Sequence, residues 1–323
     1  MKKFICVMLT VLMTLSLFTG CSEKADDGIL RIAIVQQLDH SSLDEISNAV
    51  TSQLEKVAAE KGMAIQVEHY NGQNDTSILA QIGATVAAEN YDAIIPIATL
   101  AAQYAVTATE GKNVPIIYAA VSDPAGAGLT GLSNVTGVSD ALNTNQIMDM
   151  MFTADPGIQT VGLLYSLSEP NSEKPIAEAK AYLDAKGIPY IEKTGNTADE
   201  VITAATALVG RVDAVFTPTD NAIMNVAPSV AEIFLDAGIA HYTGADSFVQ
   251  AGSLVTCGVN YSELGAYAAN MAMDFVLNGK APAHHVMEGG IITVNTDTAA
   301  ALGIDYSVFE TMANTVVPVT TAK

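Results

Sequence analysis

SDPAGAGLTGLSNVTGVSD, residues 122–140, is the stretch that decides how this chain is divided. It is rich in Gly, Ser, Asn and Asp and has no helical period, so it interrupts the pattern on either side of it. Before it, short apolar runs alternate with amphipathic patterns. LRIAIVQQ (30–37) reads as a strand, and Leu43, Ile46, Val50, Leu54 and Val57 follow at helical spacing until Gly62. MAIQVEHY, DAIIPIAT and PIIYAAV are three further strands, separated by helices expected over 76–89 and 101–109. This order is that of a parallel sheet covered by helices on both faces.

After Asp140 the alternation restarts. Helices expected over 145–154, 173–186, 198–210 and 222–237 alternate with the strands TVGLLYS, IPYIEKTG, DAVFTPT and IAHYTGA. A short turn, the strand SLVTCGV and a helix over 262–277 follow. The fold class is therefore α/β, with two Rossmann-like lobes built on parallel sheets, and the Gly-rich stretch is the candidate crossing between them. GAGLTG (126–131) has the G-x-G-x-x-G spacing, but LSNVTGVSD follows it in place of a helix, so its glycines are assigned to turns.

Composition narrows the function. The 323 residues carry 14 Lys and Arg against 35 Asp and Glu, a net charge of −21 that excludes nucleic acid as a partner. The histidines are scattered and no cysteine cluster has metal-ligand spacing, so no metal or other cofactor is expected. Cys257 lies alone in an apolar run with no cation beside it and reads as an inert buried thiol. There is no P-loop, no G-x-S-x-G and no H-E-x-x-H.

The N-terminus has the three parts of an export signal. Lys2 and Lys3 precede an apolar run over 5–18, too short to span a bilayer comfortably, and small residues follow. Cys21 directly after Thr19-Gly20 resembles the lipobox of bacterial lipoproteins, with Phe18 standing where Leu is usual. The expectation is a signal peptide over 1–20, then a lipidated Cys21 and polar tether over 21–29, anchoring the chain on the extracytoplasmic face of the cell membrane.

In open parallel sheets ligands bind beyond the carboxyl ends of the strands. The residues just after each expected strand are polar: Gln36, Gln37, Asp39 and His40; Thr99, with Leu100 and Ala101; Ser122 and Asp123. The second half offers Ser166, Ser168, Glu169, Asn171 and Ser172, then Thr219, Asp220 and Asn221, then Asp246 and Ser247. Any one of these can be a helix cap or turn residue. As a set they predict a polar cleft.

ATLAAQYA, VSDPAGAGL, NVTGVSD, EPNSE, PTDNAIMNV and NYSELGAYAANMA, together with the lipoprotein signal, resemble one family. It is the ABC-transporter substrate-binding proteins whose members include tryptophan- and phenylalanine-binding lipoproteins. The similarity runs over about 32–288. It implies a type I periplasmic-binding-protein fold, with three crossing segments near 137–141, 258–261 and 289–292. Lobe one would then comprise 30–138 plus 261–289, and lobe two 139–260 plus 290–323. It further implies a monomer that binds an aromatic or branched apolar amino acid and delivers it to an ABC permease. A ligand sensor of the same fold and, less favoured, an exported α/β enzyme remain alternatives.

An amino-acid carboxylate needs N–H groups at a helix start and a hydroxyl, which Thr99, Leu100, Ala101 and Ser122 would supply. The ammonium needs a desolvated carboxylate, for which Asp220, beside Asn221, and Asp246 are the candidates. Tyr118, Tyr165 and Tyr261 are candidates for the side-chain pocket. The absence of Trp weighs against a sugar.

Overall fold

The computed structural model describes residues 28–322. The expected signal peptide and Cys21 lie outside the described residues. In chain order the first elements are β1 (Ile29–Gln36), α1 (Ser41–Glu60), β2 (Ala64–Asn71), α2 (Thr76–Ala88), β3 (Ala93–Ile97), α3 (Thr99–Ala108), β4 (Ile116–Ala119) and β5 (Val135–Ser139). Next come α4 (Thr144–Ala154), β6 (Val161–Tyr165), α5 (Glu173–Lys186), β7 (Tyr190–Thr194), α6 (Ala198–Thr206) and β8 (Ala214–Thr217). They are followed by α7 (Asn221–Met224), α8 (Ala227–Asp236), β9 (Ala240–Thr243), α9 (Asp246–Gln250) and β10 (Val255–Gly258). The last are α10 (Tyr261–Asn278), β11 (His285–Val286), β12 (Ile291–Asn295), α11 (Thr296–Leu302) and β13 (Thr315–Val319).

Two sheets result. One has the order β2-β1-β3-β4-β5-β11 and is parallel throughout. The other runs β7-β6-β8-β9-β10-β12-β13 and is parallel except where β10 meets β12. The chain changes sheet between β5 and β6, between β10 and β11, and between β11 and β12.

The central strands are buried along nearly their whole length because both faces are covered. Ile32 and Ile34 of β1 join a core cluster with Ile46 and Val50 of α1. Ala33 and Val35, pointing to the other face, pack with Leu79 of α2 and Ala105 of α3. In the second lobe Val215 faces α6 and α8, while Ala214 and Phe216 face α4 and α5. The cluster on the first of these faces is continuous from α1 and α10 to Phe234 and Phe248, so the two lobes share apolar core. Helix α10, which leaves the second sheet, packs along α1 of the first. A Cβ on Gly265 would stand 2.6 Å from the Ile46 carbonyl oxygen, so only glycine permits this approach.

Two expectations differ from the structure. The helix expected over 222–237 is two helices, α7 and α8, with Pro228 in the first turn of α8. Proline lacks the N–H and its ring clashes with the carbonyl four residues earlier, so α7 cannot continue through it. The turn before SLVTCGV contains a short helix, α9. Among the described residues no helix is long and apolar enough to cross a membrane.

Candidate functional site

A pocket lies between the lobes, lined by residues that follow the carboxyl ends of strands from both sheets. Lobe one contributes His40, Ser42 and Leu43 after β1, Ala98 and Thr99 after β3, and Ala120 and Ser122 after β4. Lobe two contributes Asn171 after β6, Thr219 to Asn221 and Met224 after β8, and Ala245, Ser247 and Phe248 after β9. Asp140 and Tyr261 line it from the segments that follow β5 and β10.

The lobes are closed on one another. Gln37 Nε2 donates to Glu169 Oε1 at 2.8 Å, and Ser42 Oγ donates to Asp246 Oδ1 at 2.8 Å. Ser122 Oγ lies 3.3 Å from Thr219 Oγ1, and His40 Nε2 lies 3.4 Å from Asn221 Oδ1. Asn221 Nδ2 donates to Glu169 Oε2 at 3.0 Å. Glu169 is thus held by one amide from each lobe. Gly244 helps to place Thr219: a Cβ there would meet the Thr219 amide nitrogen at 2.5 Å.

Backbone strain marks the first lobe's share of the pocket. Ala98 has φ 76° and ψ 165°, a region almost exclusive to glycine, and Ala120 has φ 55°. Ala98 is also the N-cap of α3 and has no side chain with which to cap it. Replacing Ala98 by glycine should relieve one to a few kcal/mol of strain, less the extra freedom gained by the unfolded chain. The expected net gain is about 1 kcal/mol, read from urea denaturation.

The electrostatics are one-sided. No Lys or Arg lines the pocket. Burial raises the carboxyl pKa values of Asp140, Asp220 and Asp246 above the usual range. Burial, reinforced by the Asp220 carboxyl, pushes Glu169 up to about 8. Enclosure lowers His40 to about 4, so its imidazole is neutral at pH 7. Seven buried side-chain polar atoms have no partner among the described residues, and four of them belong to pocket residues: His40 Nδ1, Thr99 Oγ1, Asn171 Oδ1 and Ser247 Oγ. Buried polar atoms are normally paired, so this concentration points to a polar ligand.

Thr99, Ser122, Asn171, Thr219, Asp220, Asn221 and Tyr261 line the pocket. Gln37, Glu169 and Asp246 instead tie the lobes together around it. Four candidates fall elsewhere. The Leu100 N–H donates to Gln37 Oε1 at 3.3 Å, and Ala101 is packed in the lobe-one core. The helical period turns both away from the mouth and leaves only the first residue of α3 facing it. Asp123 folds back over its own turn, where a Cβ on Gly126 would touch its carboxyl. Ser168 is exposed and lies 2.7 Å from Ser166 Oγ in the loop after β6.

The tyrosines divide as well. Tyr118 is buried with its hydroxyl 2.8 Å from His284 Nδ1, and the Tyr165 hydroxyl donates to Glu192 Oε2 at 2.8 Å, so neither lines the pocket. Asp140 lines the pocket but is not among the sequence candidates, because its position at the end of NVTGVSD reads as a crossing. The available signal was a polar residue directly after a strand, here β5.

Two lobes closed over a buried, polar, acid-rich pocket make the architecture of a small-molecule binding protein. The chain belongs to the family of ABC transporter substrate binding proteins, whose model matches residues 31–313. A tyrosine-binding protein of Clostridioides difficile is 31% identical, over 93% of this chain and 92% of that relative. A solved structure from Streptococcus pneumonia, described as an ABC domain in complex with L-Trp, is 30% identical. It covers 89% of this chain and 99% of its own, with a TM-score of 0.81. A ligand-free, open substrate binding protein from Clostridium difficile, also 30% identical, covers 91% of this chain and 100% of its own, with a TM-score of 0.67. These relatives are binding proteins rather than enzymes.

Proposed function

We propose that this chain is an extracytoplasmic lipoprotein that captures an aromatic or branched apolar amino acid between its lobes and delivers it to an ABC permease. The observation that carries the ligand class is the pairing of unpartnered neutral donors and acceptors with buried carboxyls and no cation. A zwitterion suits both: its ammonium needs a carboxylate, and its carboxylate needs hydroxyl and N–H dipoles.

Thr99, at the uncapped start of α3 and with its hydroxyl unpartnered, is assigned to the ligand carboxylate. Asp140 is assigned to the ammonium. The two Asp220 oxygens already accept the Ser166 N–H at 2.7 Å, the Ser172 hydroxyl at 2.7 Å and the Ile223 N–H at 3.0 Å. Asp140 accepts one side-chain bond, from Ser122 Oγ at 2.9 Å. Asp246, bonded to Ser42 across the cleft, remains the second candidate. Leu43, Met224, Phe248 and Tyr261 supply an apolar wall for the side chain. The tyrosine- and tryptophan-binding relatives support an aromatic side chain. Closure around the ligand gives the permease a conformation to recognise. Cys21 would carry the lipid, and an unmodified Cys21 in the mass of the mature protein would remove the anchor from this reading.

The test is a thermal-shift screen of protein stripped of ligand by unfolding and refolding, against amino acids, sugars, nucleosides and short peptides. A ligand at one hundred times its Kd should add about 2.7 kcal/mol of stability. Hits confined to aromatic or branched amino acids are expected. A hit among sugars or nucleosides, with silence from every amino acid, would overturn the assignment.

A further inference from the structure

The interlobe pocket has a neighbour. A second, larger space of about 970 Å³ lies against α8, α9 and the C-terminal segment, lined by Ser41, Pro228, Glu232, Gln250 and Thr321 among others. Exposed Glu232 on its rim places it at the solvent surface. Met224 and Ser247 line both spaces and are the residues common to the two. Met224 and Ser247 therefore lie on the boundary between the ligand pocket and the outer groove.

The remaining apolar wall is of another kind. Leu43, Ala98, Ala120, Phe248 and Tyr261 all belong to the continuous core cluster, so they cannot move without disturbing packed neighbours. Met224 is only partly buried and packs on the edge of that cluster. It ends α7, just before the break that Pro228 imposes. Its unbranched side chain has three rotatable bonds and adapts to what lies beside it. Ser247 adds a second, independent sign. It is 2% exposed, and its hydroxyl has no partner, so the partition carries a polar atom available to a ligand.

We propose that Met224 is a specificity-determining residue, a partition that limits how far a ligand side chain can reach from the interlobe pocket toward the outer groove. This rests on the amino-acid reading above. The native protein takes side chains that stop at Met224. Shortening Met224 joins the two spaces and admits aromatic amino acids extended at the far end of the ring, whose extension enters the groove beside the Ser247 hydroxyl.

The experiment measures Kd by calorimetry for L-tyrosine, L-phenylalanine and O-benzyl-L-tyrosine with the wild-type protein and with Met224→Ala, Met224→Val and Met224→Leu. The ratio of Kd for O-benzyl-L-tyrosine to Kd for the better of the two short ligands is expected to fall by about tenfold or more in Met224→Ala, the scale at which pocket size discriminates. Met224→Val should move it in the same direction, which keeps the test intact if Met224→Ala folds poorly. Met224→Leu, of similar volume, should keep the wild-type ratio. Short ligands that bind Met224→Ala or Met224→Val with an unchanged ratio would overturn the partition alone. A wild-type protein that binds none of the three would overturn the aromatic reading and the partition with it.

Discussion

Asp140→Asn is expected to weaken amino-acid binding by about two orders of magnitude while leaving the stability of the free protein nearly unchanged. The Ser122 hydroxyl can donate to the asparagine oxygen as it does to the carboxylate, so the local bond at 2.9 Å survives. What is lost is the charge. A ligand ammonium left in a buried pocket without its counter-charge costs about 3 kcal/mol or more, which is roughly a hundredfold in Kd.

Asp220→Asn should behave in the opposite way. The Asp220 carboxylate accepts three protein donors and caps α7, so an amide nitrogen placed there faces a donor that has lost its acceptor. That costs about 1–3 kcal/mol of folding stability. Calorimetry and urea denaturation on both variants separate the two roles. Wild-type affinity in Asp140→Asn, with the loss appearing in Asp246→Asn, would move the ammonium to Asp246.

The second large effect is on pH. Glu169 is buried between Gln37 of one lobe and Asn221 of the other, and its pKa is pushed up to about 8 from the ordinary 4.5 by burial first and Asp220 second. Opening of the lobes returns the carboxyl to water and lowers its pKa. The closed form then holds a proton that the open form releases between about pH 4.5 and about pH 8. Glu169 therefore favours closure fully below this window, loses that contribution as pH rises through it, and stops changing above it. Each pH unit within the window should reduce the closed-to-open ratio by up to about tenfold. Relative to Glu169→Gln, the ligand affinity of the wild type is expected to fall as pH is raised from about 5 to 8.

Glu169→Gln should flatten the profile, because the glutamine oxygen can still accept from Gln37 Nε2 and the Asn221 amide can turn to accept from its nitrogen. An equal slope in the wild type and in Glu169→Gln would remove Glu169 from the closing equilibrium.

The same geometry shows why parts of the site were legible and others were not. Thr99, Ser122 and Thr219 could be found because each is the first polar group after a buried strand, and strand ends face the ligand in this kind of sheet. The N–H groups of Leu100 and Ala101 were expected at the ligand because they open a helix, but which partner such a group meets is decided by packing, and here the Leu100 N–H donates to Gln37 Oε1. Tyr118 and Tyr165 were misplaced because a tyrosine near a strand end has two places to put its hydroxyl, and here His284 and Glu192 accepted the task.

By itself the sequence determined two α/β halves, strands buried on both faces, and a polar rim at the strand ends. These follow from periodicity over a few residues, which local geometry enforces. Only the tertiary structure decided which carboxyl caps a helix, which ties the lobes and which is left for a ligand. Gln37 meets Glu169 from 132 residues away, and Ser42 meets Asp246 from 204. Contacts at that separation arise from the packing of two sheets against one another, and no local pattern encodes them. Burial at that junction then sets the protonation of Glu169.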